Sequence, residues 1–280
     1  MHLHKFFDFC INNLHQYAAQ VQEQQGEGVD WRIKEAIMNL IGNIAHLIIQ
    51  ENQLKEMIEG IISYHVLPEM QSSEPFLRMR AIWLYGEFQY LGFADQTHIH
   101  QVMDSMYKCL YDQELPVKVY AATTIYKLLK NSEAAQTFLR PGLKDILQVY
   151  LKLLSEIESD ELVTALEKIV SFYKEDIEPF ALLLSSQLVD SYQRLIQVNA
   201  IDDGGDSAMA SMGCVTALGR IIRSCKSNKE ILAKLEKIVY PVIVHSFTLE
   251  GDGTLEEASD CLSLLLYYGG RNNLHGPAVS

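Results

Sequence analysis

The side chains that could do chemistry here are mostly carboxylates. Asp202, Asp203 and Asp206 lie in the glycine-containing stretch NAIDDGGD, while Glu156, Glu158, Asp160 and Glu161 gather where one helix should end and the next begin. Glu175, Asp176 and Glu178 form a third group. Clustered aspartates can ligate calcium, but the ligand spacing and closing glutamate of an EF-hand are absent, so the loop reads as a solvated acidic surface. Paired carboxylates can also serve as general acid and base, yet nothing near these supplies a nucleophile or an oxyanion site. His2 with His4, and His98 with His100, come nearest to a metal pair. Residues two apart on a helix point to different sides, so they read as solvated histidines rather than ligands. The sequence holds no P-loop, G-x-S-x-G, H-E-x-x-H or dinucleotide-binding glycine pattern. The expectation is therefore a protein that is not an enzyme and carries neither metal nor cofactor. The carboxylates then either form a simply solvated surface or attract a basic protein partner.

Composition narrows the setting. With 48% apolar and 21% charged residues in 280, the chain reads as folded rather than disordered. No apolar run reaches the roughly 18 residues of a membrane span, and MHLHKFFDFC lacks the regions of a secretory signal. A soluble, intracellular chain without membrane insertion is expected. Five cysteines at 10, 109, 214, 225 and 261 form no metal or disulfide pattern. Those within apolar stripes, such as Cys214 and Cys261, read as small buried thiols. The net charge of −13 is unevenly spread. Residues 1–155 hold 13 Lys/Arg against 17 Asp/Glu, and residues 156–280 hold 10 against 19. An acidic second half disfavours direct binding of a phosphate backbone, so nucleic acid is not an expected partner.

The elements that must position these acids are helices. The stretches EPFLRMRAIWLYGEFQYL (74–91) and LPVKVYAATTIYKLL (115–129) each place a proline at the first turn, where a missing N–H costs nothing. Leu77, Ala81, Leu84 and Phe88 recur at helical spacing in the first, and Val117, Ala121, Ile125 and Leu128 in the second. Similar stripes predict helices over 3–21, 31–49 capped by Asp30, about 53–67 ended by Pro68, and 96–111 capped by Asp95. Beyond them come 116–130, a short helix near 133–139, and a longer one after Pro141-Gly142. Ser159 and Asp160 open a helix to Tyr173, Asp176 with Pro179 opens one to Val198, and Asp206 caps one to Ser224. Ser227 with Glu230, and Thr254 with Glu257, fit capping boxes for the last two helices, the first kinked at Pro241. Trp31 and Trp83, at first-helix positions, read as core residues.

First helices thus begin near 31, 75, 116, 160, 206 and 254, with gaps of 41 to 48 residues. That is the period of a two-helix HEAT or armadillo unit. One hairpin cannot bury its stripe alone, so hairpins must stack. The predicted fold is all-α, a HEAT/armadillo-like right-handed solenoid of antiparallel hairpins over 1–268, with 269–280 a frayed tail. Phe6, Phe7 and Phe9 near one end and LSLLLYY at the other are more apolar than capping repeats should be, which reads as a segment of a longer solenoid.

Four collinear runs are similar to a known family: LRMRAIWLYGEF, CLYDQELPVKVYAATTIYKLL, LLSEIESDELVTALEKIV and DSAMASMGCVTALGRII. They resemble the middle of importin-beta-type nuclear transport receptors, in the importin-seven/importin-eight subfamily. The likeness runs from about residue 3 to 268, and PVKVYAA (116–122) and DDGGDSAMASMG (202–213) are its most specific pieces. It implies a right-handed superhelix whose second helices line a concave surface. It also implies a receptor for basic cargo such as ribosomal proteins or histones, shuttling between cytoplasm and nucleus. Such a receptor contacts phenylalanine-glycine nucleoporins and releases cargo on binding Ran–GTP, mainly through N-terminal repeats that precede this segment. On charge, Asp202, Asp203, Asp206 and the acids Glu156, Glu158, Asp160 and Glu161 are the expected cargo contacts. The alternative is a HEAT-repeat scaffold without a transport role, which would bind neither Ran–GTP nor nucleoporins.

Overall fold

The computed structural model describes residues 2–23, 28–93, 96–157, 159–199, 205–248 and 251–269. Asp95, Glu158, Asp202, Asp203 and the expected tail from 270 onward lie outside these. The described residues form helices and turns, divided between two compact units, Met1–Pro141 and Gly142–Ser280.

In the first unit α1 (His2–Glu23) packs on α2 (Trp31–Asn43), which is followed by α3 (Ala45–Gln50) and α4 (Asn52–His65). Next come α5 (Pro75–Glu87), α6 (Gln96–Cys109), α7 (Leu115–Asn131) and α8 (Glu133–Leu139). Helices α2, α5 and α7 lie side by side as one layer. A 3-10 turn at Leu67–Gln71, which carries Pro68 in its first turn, joins α6 and α8 in the other. Asp30 caps α2 as expected, its carboxylate accepting from the Arg32 N–H at 3.0 Å. The expected 31–49 helix is interrupted at Ile44, whose N–H bonds back to Gly42 and Ile41. Gly92, at φ +67, ends the turn after α5, a conformation that suits glycine.

Close approach within the first layer rests on small residues. Gly42 leaves the space that the Trp83 ring occupies, and Gly86 faces Thr124. Across the same contact Arg80 meets Glu35 at 2.6 Å and lies 4.6 Å over the Trp83 ring. Cations on the fourth residues of α2 and α5 also lock each hairpin to its own far end. Lys34 reaches Glu69 at 2.6 Å, and Arg78 grips Asp112 with two bonds of 2.7 and 2.8 Å. Burial alone would raise the Asp112 carboxyl; the Arg78 hydrogen bonds, the Glu114 backbone N–H and nearby cations outweigh it and hold it below the usual range. Neither tryptophan is enclosed in the core. Trp83 is half-buried, and Trp31 stacks on the exposed Phe76 ring at 5.5 Å because both project at the layer surface.

In the second unit α9 (Leu143–Glu156) precedes α10 (Asp160–Phe172), α11 (Ala181–Asn199), α12 (Gly205–Ser224), α13 (Lys229–Ser246) and α14 (Leu255–Gly269). Helices α10, α12 and α14 form one layer, and α9, α11 and α13 the other. The six first helices start within one residue of their expected positions. Val163 sits against Gly213, and Glu167 and Ser171 both contact Arg220, so α10 and α12 run in the same direction.

Several caps differ from expectation. Asn228, not Ser227, caps α13, because its amide oxygen accepts from the Ile231 N–H while its nitrogen donates to Glu178. Thr254 does not form a capping box. Its hydroxyl lies 2.8 Å from the Ser246 hydroxyl and 3.1 Å from the Tyr192 hydroxyl, which also meets His245 Nδ1 at 2.9 Å. Helix α13 runs through Pro241, and Pro179 lies in a 3-10 turn that precedes α11. Helix α12 starts at Gly205, one residue before the expected cap Asp206.

Candidate protein-binding surfaces

Of the acids expected at the α9–α10 junction, Glu156, Asp160 and Glu161 fall within the described residues. Ser159 caps α10 by accepting from the Leu162 N–H at 3.3 Å. Asp160 follows as the first helical residue, its carboxylate accepting the Glu161 N–H at 2.8 Å. Glu161 is exposed, and Glu156 sits 3.8 Å from Lys152 on the preceding helix. Carboxylates in the first turn of α10 are favoured there by the exposed N–H groups. Because α10 and α12 are parallel, the first turn of α12, with Asp206 as its second residue, lies at the same end of that layer.

The histidine pairs are not all solvated. His98 is buried against Tyr85, whose hydroxyl lies 3.3 Å from its Nε2, whereas His2 and His100 are exposed. The stripe of α6 includes position 98, four residues before Val102, so it turns His98 inward. Among the described residues no group of three or more His, Cys, Asp or Glu is placed to hold a metal ion. All five cysteines are buried free thiols, and burial pushes Cys214 and Cys261 up to about 12. Such thiols stay protonated and unreactive. No described helix is long and apolar enough to cross a membrane.

Two cavities were not visible in the sequence. In the first unit a space of about 550 Å³ lies among Tyr17, Trp31, Tyr64, His65 and Leu77. Its charges are matched internally, since Lys34 bonds Glu69 and lies over the Tyr17 ring. In the second unit a groove of about 540 Å³ runs between α10, α12 and α14. Val170, Val215, Gly219 and Leu264 line it, together with Lys174, Arg223 and Lys226 at the C-terminal ends of α10 and α12. Glu257 and Asp260 line it from α14, and Glu175 beside Lys174.

Stacked two-layer helical hairpins in each unit give an all-α helical-repeat fold. The fold resembles the crystal structure of an engineered protein, with a TM-score of 0.59 over 91% of this chain and 97% of that one, at 15% identity. The chain matches no protein-family profile. It is 30% identical over 260 residues to a probable importin-7 homolog of Dictyostelium discoideum, covering 93% of this chain and 24% of that protein. It is 28% identical to an importin beta-like SAD2 homolog of Arabidopsis thaliana, covering 93% and 25%, and 26% identical to human importin-8, covering 76% and 21%. The chain is thus homologous to a segment of importin-beta superfamily proteins of the importin-7 and importin-8 type. It spans about a quarter of the length of the relatives it matches.

Proposed function

We propose that this chain is a cargo-binding segment of a nuclear import receptor, recognising basic proteins of the ribosomal-protein or histone kind. The observation that carries this reading is the importin match over 93% of the chain. The net charge of −13 supports it, because exposed carboxylates steer lysine-rich partners toward the surface. In the longer receptor, uptake of cargo would be coupled to Ran–GTP and to phenylalanine-glycine nucleoporins during shuttling between cytoplasm and nucleus. Within the segment, Glu156, Glu158, Asp160, Glu161, Asp202, Asp203 and Asp206 are the proposed cargo contacts.

The test is a binding titration of the chain against a lysine-rich histone tail over a range of salt. Replacing Asp202, Asp203 and Asp206 by Asn, and separately Glu156, Glu158 and Glu161 by Gln, should each weaken binding roughly three- to tenfold at low salt. The difference should shrink as salt shortens the Debye length below about 10 Å. Unchanged affinity in both variants at low salt would overturn the assignment of these acids.

A further inference from the structure

The groove between α10, α12 and α14 gathers cations at the C-terminal ends of α10 and α12 that do not suit the basic partners discussed so far, although Glu175, Glu257 and Asp260 also line it. This chain carries 23 cations against 36 acids. Several of its cations are tied to carboxylates, as in Lys34–Glu69, Arg78–Asp112, Arg80–Glu35 and Arg220–Glu167, of which Arg220 lines this groove. Lys174, Arg223 and Lys226 are exposed and have no ion-pair partner among the described residues, although all three line one groove. The C-terminal carbonyls of α10 and α12 make cations favourable at these places. What the helix ends do not explain is why the cations border an apolar floor of Val170, Val215, Gly219 and Leu264.

We propose that this groove binds a short acidic peptide segment of a partner protein. An apolar side chain of the peptide fills the floor between Val170, Val215 and Leu264. Its neighbouring carboxylates meet Lys174, Arg223 and Lys226. The opposite wall argues against a nucleic acid or another polyanion, because Glu257 and Asp260 on α14 repel a ligand that is negative along its whole length. A peptide acidic on one side of its anchor avoids those groups, and they fix its direction. The partner therefore differs in charge from the basic cargo, and this site is independent of that reading.

Fluorescence anisotropy with the chain and a set of labelled peptides, each with one phenylalanine flanked on one side by glutamates, tests this. Saturable binding is expected, weakened roughly tenfold or more when Arg223→Glu and Lys226→Glu are combined. Lys174→Glu, on a different element, should weaken it in the same direction. All three side chains are exposed, so circular dichroism of the variants should match the parent. Replacing the peptide phenylalanine by alanine should also reduce affinity roughly tenfold, from lost apolar burial. Binding to a histone tail should not weaken in these variants. Three results would overturn the proposal: no saturable binding by any peptide of the set, equal affinity in the charge-reversal variants, or equal affinity for an all-glutamate peptide or single-stranded RNA.

Discussion

Two glycines in the first unit offer a controlled test of how its helix layer is packed. Gly60 lies inside α4 with nothing within 4 Å of where a Cβ would stand, whereas a Cβ on Gly42 in α2 would fall 2.3 Å from Cη2 and Cζ3 of Trp83. Alanine in a helix is favoured over glycine by about 0.5–1 kcal/mol, so Gly60→Ala should stabilise the unit by that much. Gly42→Ala gains the same preference but needs the ring to retreat by more than about 1 Å to reach an ordinary carbon contact. The ring is not free to do so without loss, because Arg80 lies over it and is held by Glu35. Overpacking of this kind costs about 1–3 kcal/mol, which exceeds the gain in helix preference. The net prediction is destabilisation of up to about 2.5 kcal/mol, with Gly42→Ala less stable than Gly60→Ala in every case. The only two tryptophans, Trp31 and Trp83, both lie in this unit, so urea unfolding followed by tryptophan fluorescence reports it selectively. A Gly42→Ala variant as stable as the Gly60→Ala variant would show that the ring swings aside freely and that the glycine is not a packing requirement.

Two further effects are measurable. His65 is buried near Lys34 and His15, and burial first, then these two groups, lowers its pKa to about 4. The unfolded chain, titrating near about 6.5, binds more protons between those values, so stability is full above that range and falls as pH drops toward 4. In His65→Leu the tryptophan-reported midpoint should fall less over this window, and equal slopes would refute the assignment. In the second unit, Thr254→Val removes a hydroxyl shared by Tyr192 and Ser246 and should cost about 1–3 kcal/mol by calorimetry. Tyr192→Phe should cost less, about 0.5–1.5 kcal/mol, because Ser246 and Thr254 still bond each other and the half-buried His245, which loses this partner, can bond water instead. The reverse order would mean that the hydroxyl cluster is not organised around Thr254.

Much of the fold was legible because most first helices announce their own start. Pro75, Pro116, Asp30 and Ser159 act on their own helix ends and need no tertiary partner. The misread caps are those where a distant residue competes for the same side chain. Thr254 matches a capping box locally, but Tyr192 and Ser246 claim its hydroxyl. Asn228 displaces Ser227 because one amide serves both α13 and Glu178. The inward placing of His98 against Tyr85 follows from its own helix stripe, four residues before Val102, which outweighs its two-residue spacing from His100. The groove was not legible. Val170, Gly219 and Leu264 come from three helices about one repeat apart, and only stacking brings them together.

The separation of charge by role gives the two proposed partners different physical signatures. Some cations that bridge helices are paired and little exposed, as with Arg78 at 14% of its side-chain surface, held by Asp112 at 11%. They hold hairpins and contribute little field outside. Acids such as Glu161, Glu230 and Glu256 face solvent, so attraction of a basic partner is long-range and screened within about 8–10 Å at physiological salt. A peptide in the α10–α12–α14 groove would add burial on an apolar floor, which salt does not weaken. Salt should therefore erode histone-tail binding more steeply than acidic-peptide binding. Parallel salt slopes would mean that the groove contributes charge alone and that its apolar floor recognises nothing.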